Sequence, residues 1–378
     1  MSEDVSERIR RTIEEHGPIG FDRFMELALY GPGGFFEQPP ICAEGHFVTA
    51  PHVHPFAFSH CLRGALLEAW TALGEPDPFA LVEVGAGDGT LAAALLEAFE
   101  ELSAPTPAYT AVEIGPGARA RLGRLGVRAT ERLADVEPFE GVVFANELLD
   151  NLPFLLAQGG PSGTVEIRVG LDGDRLVEVE IPWDRELPGG IELVLPHGAR
   201  TTVPVGGFAF LDALAVALRR GYAVLIDYGT VEGPTGGAHG YRRHLAIDDV
   251  LSAPGTTDIT GAVDLAMVGT YAESLGLEVL GMVSQTRALE ELGFTRWSSA
   301  MREMQTKLTG EGRTAEAARV WQTRSLASLL VDPGHLGSLW WLVLATPDLP
   351  RPAWLDRAME NRPTADRPGS ERGDARGA

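Results

Sequence analysis

The chain has 378 residues, 44% of them hydrophobic, with a formal net charge of −22. That length can bury a sizeable core in one large or two small domains. The acidic balance excludes a duplex nucleic-acid binder, which needs a basic face to displace phosphate counterions. The single lysine, Lys307, is followed by Leu308 outside any glycine frame, which excludes a Walker-type phosphate loop and a Schiff-base lysine. Neither H-E-x-x-H nor G-x-S-x-G occurs, and no apolar run reaches the roughly 18 residues of a membrane span. The start, MSEDVSERIRRTIEEHG, lacks the apolar core of a signal peptide, and two cysteines, Cys42 and Cys61, point to a reducing cytoplasm.

In chain order, residues 5–16 read as an amphipathic helix and Phe21–Tyr30 as a second, broken by Gly31-Pro32-Gly33-Gly34. Residues 38–60 read as irregular and carry His46, His52, His54 and His60. Histidine is a zinc-type ligand, but no acidic or cysteine cluster has matching spacing, so no metal is expected. Cys61–Leu73 reads as a helix leading into a sheet.

The stretch LVEVGAGDGT, Leu81–Thr90, reads as a buried strand, a glycine turn and the start of a helix that runs to Glu101. Gly85, Gly87 and Gly89 alternate, with Ala86 between the first two and Glu83 two residues upstream. A dinucleotide fingerprint would need glycine where Thr90 stands. E-x-G-x-G-x-G is instead the pattern of a class I S-adenosylmethionine (SAM) methyltransferase. The turn's N–H groups are expected to take the carboxylate of SAM, and an acidic residue is compatible with its ammonium and sulfonium charges. A second strand, Tyr109–Ile114, carries Glu113 near its end, at the distance where an acidic residue bonds ribose hydroxyls.

Gly141–Ala145 reads as a fully buried strand running into Asn146-Glu147-Leu148-Leu149-Asp150-Asn151-Leu152-Pro153. Ligands of open α/β sheets sit at carboxyl ends of strands, so Asn146, Glu147 and Asp150 are the candidate catalytic residues. Asn146 could equally cap a helix. Residues 157–200 break the α/β rhythm with a hairpin pattern around Asp172-Gly173, read as an inserted β-subdomain over the site. Gly221–Ile226 is a buried strand ending in Asp227-Tyr228, and Val231–Gly240 a mobile glycine-rich loop. Thr260 is a candidate cap for a helix at 263–274. Leu277–Val283 and Leu339–Ala345 read as an antiparallel final pair, with 286–330 helical between them and Trp340-Trp341 in the core. From Pro347 the periodicity is lost and the tail reads as disordered.

Several of these stretches resemble one family. GPIGFDRFMELALYGPGGFF, GHFVTAP, LVEVGAGDGTL, VEIGP, ANELLDNLP, AVLIDYG, the YRRH…DITGAVDL run and WWLVLA are similar to the MidA family of SAM-dependent methyltransferases, over about residues 17–346. The resemblance implies a class I doubly wound α/β fold with a seven-stranded sheet, an inserted β-subdomain and added helices. It also implies transfer of methyl to a protein arginine nitrogen, the activity of the mitochondrial member that helps assemble respiratory complex I. By that likeness Glu83, Gly85, Gly87 and Gly89 match the cofactor loop and Glu113 the ribose-binding acid. Asn146, Glu147 and Asp150 match the post-strand motif, and Asp227 and Tyr228 a later one. His46 and His52 stand where the family commonly has aspartate and glutamate. A small-molecule O- or N-methyltransferase and a non-catalytic SAM-binding assembly factor therefore stay open.

The expected division is a cap at 1–75, a SAM-binding core at 76–156, the insertion at 157–205, the rest of the core at 206–346 and the tail at 347–378. The expected partner is a protein arginine or a small-molecule methyl acceptor, with no nucleic acid and no membrane span, and a homodimer is admitted.

Overall fold

The computed structural model describes residues 4–37, 49–101, 105–242, 245–247 and 249–360. His46 and Cys42 lie outside them. The main sheet has seven strands: β1 (Ala80–Val84), β2 (Ala108–Val112), β3 (Arg128–Thr130), β4 (Phe139–Asn146), β5 (Leu218–Asp227), β6 (Glu278–Ser284) and β7 (Trp340–Ala345). Their spatial order is β3-β2-β1-β4-β5-β7-β6. The first five run parallel, while β7 lies antiparallel to both β5 and β6.

Parallel strands are covered on both faces and so read as continuous apolar runs, as Val142–Ala145 does. Alternate residues feed two layers. Phe144, Tyr222, Val224 and Trp341 pack toward helices Pro55–Ala72, Thr90–Glu101 and Ala353–Glu360. Val143, Ala145, Leu225 and Leu342 pack toward Val205–Ala217 and Leu265–Ser274. Order in the sheet reverses beside β1 and β4, which puts the ends of both strands at the switch point where a crevice forms.

A second, five-stranded sheet contains Leu155–Gly160, Gly163–Asp172, Arg175–Pro182 and Arg200–Val203, and its fifth strand is Ile19–Gly20. Its core joins Phe154, Leu156 and Ile167 to Ile9, Phe21 and Phe24. The division at residue 75 thus does not follow the packing: the first helices share a core with the insertion, and Pro55–Ala72 belongs to the main sheet.

Other expectations are corrected locally. The helix expected from Cys61 starts at Pro55, where proline suits a first turn, with a short helical turn Ala50–Val53 before it. Phe21–Tyr30 changes from α to π geometry at Glu26. Thr260 lies in a strand, Asp258–Gly261, and the cap of Leu265–Ser274 is Asp264, whose carboxylate accepts from Met267 N–H at 2.9 Å. The loop after Val231 is tied down, because the Thr235 hydroxyl bonds Thr201 and Thr202 and Gly236 N–H donates to Arg200 O.

The tail after Pro347 is also not wholly irregular. Ala353–Glu360 is a helix that seats Trp354, 1% exposed, edge-on against Trp341 at 5.7 Å. Trp354 N–H donates to Glu68. Trp354→Ala should cost about 3–5 kcal/mol, the usual loss for emptying a buried aromatic site. Urea unfolding monitored by circular dichroism should show the midpoint falling with little change in slope.

Candidate active site

At the carboxyl end of β1 the backbone turns left-handed at Gly85 (φ 77°), Gly87 (φ 53°) and Gly89 (φ 83°), which only glycine adopts freely. A Cβ on Gly85 would sit 3.0 Å from Leu148, and one on Gly89 2.9 Å from Leu125. Four of the turn's amides are already bonded within the fold, so the expected carboxylate cradle is not made by the glycine N–H groups. Gly85 and Ala86 donate to Val112 O, Gly87 to Glu113 and Gly89 to Ala86 O. The glycines therefore contribute clearance and curvature, while the charge comes from side chains.

Glu113 stands immediately beyond β2. Its Oε2 accepts from Gly87 N–H and its Oε1 from Gly115 N–H, both at 2.8 Å. Each oxygen keeps a second lone pair, so a carboxylate so fixed can still accept ribose hydroxyls. Glu83, 3% exposed, lies lower in β1 and accepts from the Tyr109 hydroxyl at 2.6 Å. Burial pushes its carboxyl up to about 8.

Beyond β4 the chain makes no helix, so Asn146 caps none. Glu147 N–H donates to Ile226 O at 2.7 Å and adopts φ 51°, a strained conformation for a non-glycine residue. Asp227, at the end of β5, compensates. Its Oδ2 accepts from Leu148, Leu149 and Asp150 N–H at 3.0, 2.6 and 3.3 Å, and its Oδ1 from Tyr228 N–H at 2.8 Å. Glu147 Oε1 accepts from Ala50 N–H (3.2 Å) and from the Asn146 amide (3.0 Å). Asn146 Oδ1 and Asp150 Oδ1 are buried without a hydrogen-bond partner. Such orphaned acceptors mark where a donor ligand fits.

Three further residues join this group from distant elements. Asp258 accepts from Asn151 Nδ2 at 2.9 Å, and the Tyr30 hydroxyl donates to Asn151 O at 3.0 Å. The Tyr228 phenol is raised by burial and by Glu147, Asp150 and Asp227. Asp258 and Tyr30 sit in stretches whose only sequence signal is family likeness, since neither adjoins the glycine turn or a predicted strand end. Burial, then neighbouring charge, raises Asp150 well above the carboxylate range. Burial likewise raises Glu147, Asp227 and Asp258 to about 7. Like charges packed this closely cannot all ionise without a counter-cation.

No group of three or more His, Cys, Asp or Glu able to hold a metal occurs among the described residues. His52, His54 and His60 instead face Asp88, Ala57 N–H and Glu101.

A sheet reversed at its last strand, a glycine turn against a strand-end acid and a carboxylate motif at the neighbouring strand define an α/β SAM-dependent methyltransferase. The chain belongs to the S-adenosyl-L-methionine-dependent methyltransferase family whose model matches residues 61–283, more than half of it. It is 27% identical to the Drosophila melanogaster "Protein arginine methyltransferase NDUFAF7 homolog, mitochondrial", over 72% of this chain and 70% of that protein. The Homo sapiens "Protein arginine methyltransferase NDUFAF7, mitochondrial" is also 27% identical, over 69% and 67%. A crystal structure of a Burkholderia thailandensis superfamily member bound to S-adenosyl-homocysteine superposes with a TM-score of 0.77 at 28% identity, covering 90% of this chain and 91% of that one. The glycine clearance and the fixed Glu113 fit the cofactor, SAM.

The raised carboxyls set a pH dependence. Their folded pKa values exceed the ordinary values of 3.8 for Asp and 4.5 for Glu, so between about pH 4 and 8 the folded state holds protons that the unfolded state releases. Stability from these groups therefore falls as pH rises through that window. Asp258→Asn keeps an oxygen for Asn151, so it should stabilise the ligand-free protein by about 1–3 kcal/mol at pH 8 and negligibly at pH 4. Paired urea titrations at the two pH values check this.

Proposed function

We propose that the protein transfers a methyl group from SAM to a guanidinium nitrogen of a protein arginine. The observation that carries this reading is the constellation at the end of β4. Glu147, Asp150 and Asp258 gather around buried, partnerless acceptors at Asn146 Oδ1 and Asp150 Oδ1. Guanidinium carries only donors and a fixed positive charge, the complement of such a site. The names of the relatives, protein arginine methyltransferases, support the same acceptor.

SAM supplies an electrophilic methyl on a sulfonium centre. The chain's residues align the acceptor and manage its charge. Both bonds to Glu147 fall on Oε1, which leaves Oε2 for the guanidinium. A carboxylate there holds positive charge on one nitrogen and leaves the attacking nitrogen more electron-rich. Methylated guanidinium must shed one proton, and a carboxyl raised to about 7 can take it at neutral pH.

The strand order and the single antiparallel strand β7 support assignment to the class I type. The buried, unpaired thiol of Cys61 supports a reducing compartment, here proposed as the cytoplasm. No helix among the described residues is long and apolar enough to cross a membrane.

Glu147→Gln should lower methyl transfer about 10²–10³-fold while S-adenosylhomocysteine affinity stays within about threefold. Tritium transfer from labelled SAM into a cell extract, followed by mass spectrometry, should find methylarginine. Label found only as base-labile methyl ester would overturn the arginine assignment.

A further inference from the structure

Thr49–His54 lies across both halves of the site. Its backbone reaches the acceptor side, where Ala50 N–H donates to Glu147 Oε1 at 3.2 Å. Its side chain reaches the cofactor side, where His52 Nε2 lies 3.5 Å from Oδ1 of Asp88, the residue between Gly87 and Gly89. His52 Nδ1 is 2.7 Å from the Thr49 hydroxyl, which fixes the ring. A carboxylate facing Nε2 requires a proton there, either as the neutral tautomer with Nδ1 accepting from Thr49 or as imidazolium.

Asp88 is the hub of the glycine turn. Its Oδ1 also accepts from Thr90 N–H at 2.9 Å, and Arg121 approaches its Oδ2 at 3.6 Å. Partial burial would raise this carboxyl, but the His52 imidazole 3.5 Å away and the bond from Thr90 hold it well below the ordinary range. The far end of the strap is anchored separately. His54 Nδ1 accepts from Ala57 N–H at 3.0 Å, and its ring meets Trp297 edge-on at 5.1 Å. Ala50 packs in the main core, and with His54 anchored on one side the His52–Asp88 contact is a second side-chain tether on its strap.

We propose that His52 is a positioning residue: by tying the strap to Asp88 of the cofactor turn, it sets the amide that orients Glu147 toward the methyl acceptor. The two halves of the site then behave as one unit, so a disturbance at Asp88 is felt at Glu147, although the two side chains share no hydrogen bond. This rests on Glu147 as the acceptor-orienting carboxylate. It gives the histidine that replaces the resembled family's usual glutamate a partner of opposite charge on the cofactor turn.

The test uses the full chain with S-adenosylhomocysteine, in wild type, His52→Ala, His52→Gln and Asp88→Asn. The first readout, amide hydrogen exchange at Ala50, needs no methyl acceptor. His52→Ala should speed that exchange about tenfold or more, and His52→Gln, which retains an N–H donor, should restore most of the protection. Combining His52→Ala with Asp88→Asn should add little at Ala50, because the charge that Asp88→Asn removes acts on the strap through His52. In turnover, His52→Ala should lower kcat about tenfold with acceptor KM and S-adenosylhomocysteine affinity within about threefold. Wild-type exchange at Ala50 in His52→Ala, or a defect confined to cofactor affinity, would overturn the proposal. If His52→Ala does not fold, exchange in His52→Phe, which keeps a ring but no N–H donor, decides. If wild type makes no methylarginine, the acceptor assignment fails while the exchange result still judges the strap.

Discussion

One buried carboxylate holds the working edge of the sheet together. Asp227 collects four backbone N–H groups, three of them from the segment that follows the neighbouring strand. Those bonds bend the chain after β4 so sharply that Glu147 enters the left-handed region, and its own N–H returns to β5 at Ile226. Strain of this kind persists only where the surroundings over-determine it. Here the surroundings are two adjacent parallel strands whose ends must both be closed, and the result projects Glu147 and Asp150 into the crevice.

The arrangement carries an electrostatic cost. Four N–H bonds would ordinarily hold a carboxyl low, yet Asp227 stays raised, first by burial and then by Glu147. Asp150 is raised by burial, then by Asp227 and Glu147, and Asp258 by burial. A group whose folded pKa is raised weakens the fold at higher pH, so the cluster is not there for stability. The large apolar layers on both faces of the sheet offset it.

The architecture was legible because its signals are local. Four apolar residues in a row at Val142–Ala145 can only be a strand covered on both faces, and alternating glycines before a helix mark a tight turn. Glu147 and Asp150 were singled out by the same logic, from their place beyond a strand end, and the structure brings them together there. Asp258 and Tyr30 were not, because nothing around Asp258 or Tyr30 in the chain reports that Asn151 draws them together. The role of the glycine-turn amides was misread for a related reason. Their partners, Val112 O and Glu113, belong to another strand, and a sequence shows the donor without its acceptor. The tail was misjudged because what holds it is distant packing: Trp354 meets Trp341 edge-on and its N–H reaches Glu68, 286 residues away, and neither contact leaves a periodicity in Ala353–Glu360.

The same crowding that costs stability suits the cationic acceptor proposed above. A neutral acceptor would leave the carboxyls to share protons and would gain little from them. A guanidinium, charged at any accessible pH, relieves their mutual repulsion and draws protons off Glu147, Asp150 or Asp258 as it enters. Binding therefore strengthens as pH rises through the range near 7 where those groups titrate. The destabilisation of the empty site is returned as attraction for a cation. After transfer the product must lose a proton, and a cluster that has just been stripped of its own is poised to receive it. In the reaction proposed above, one arrangement of carboxylates would select the acceptor, orient it through Glu147 and accept the proton that is released.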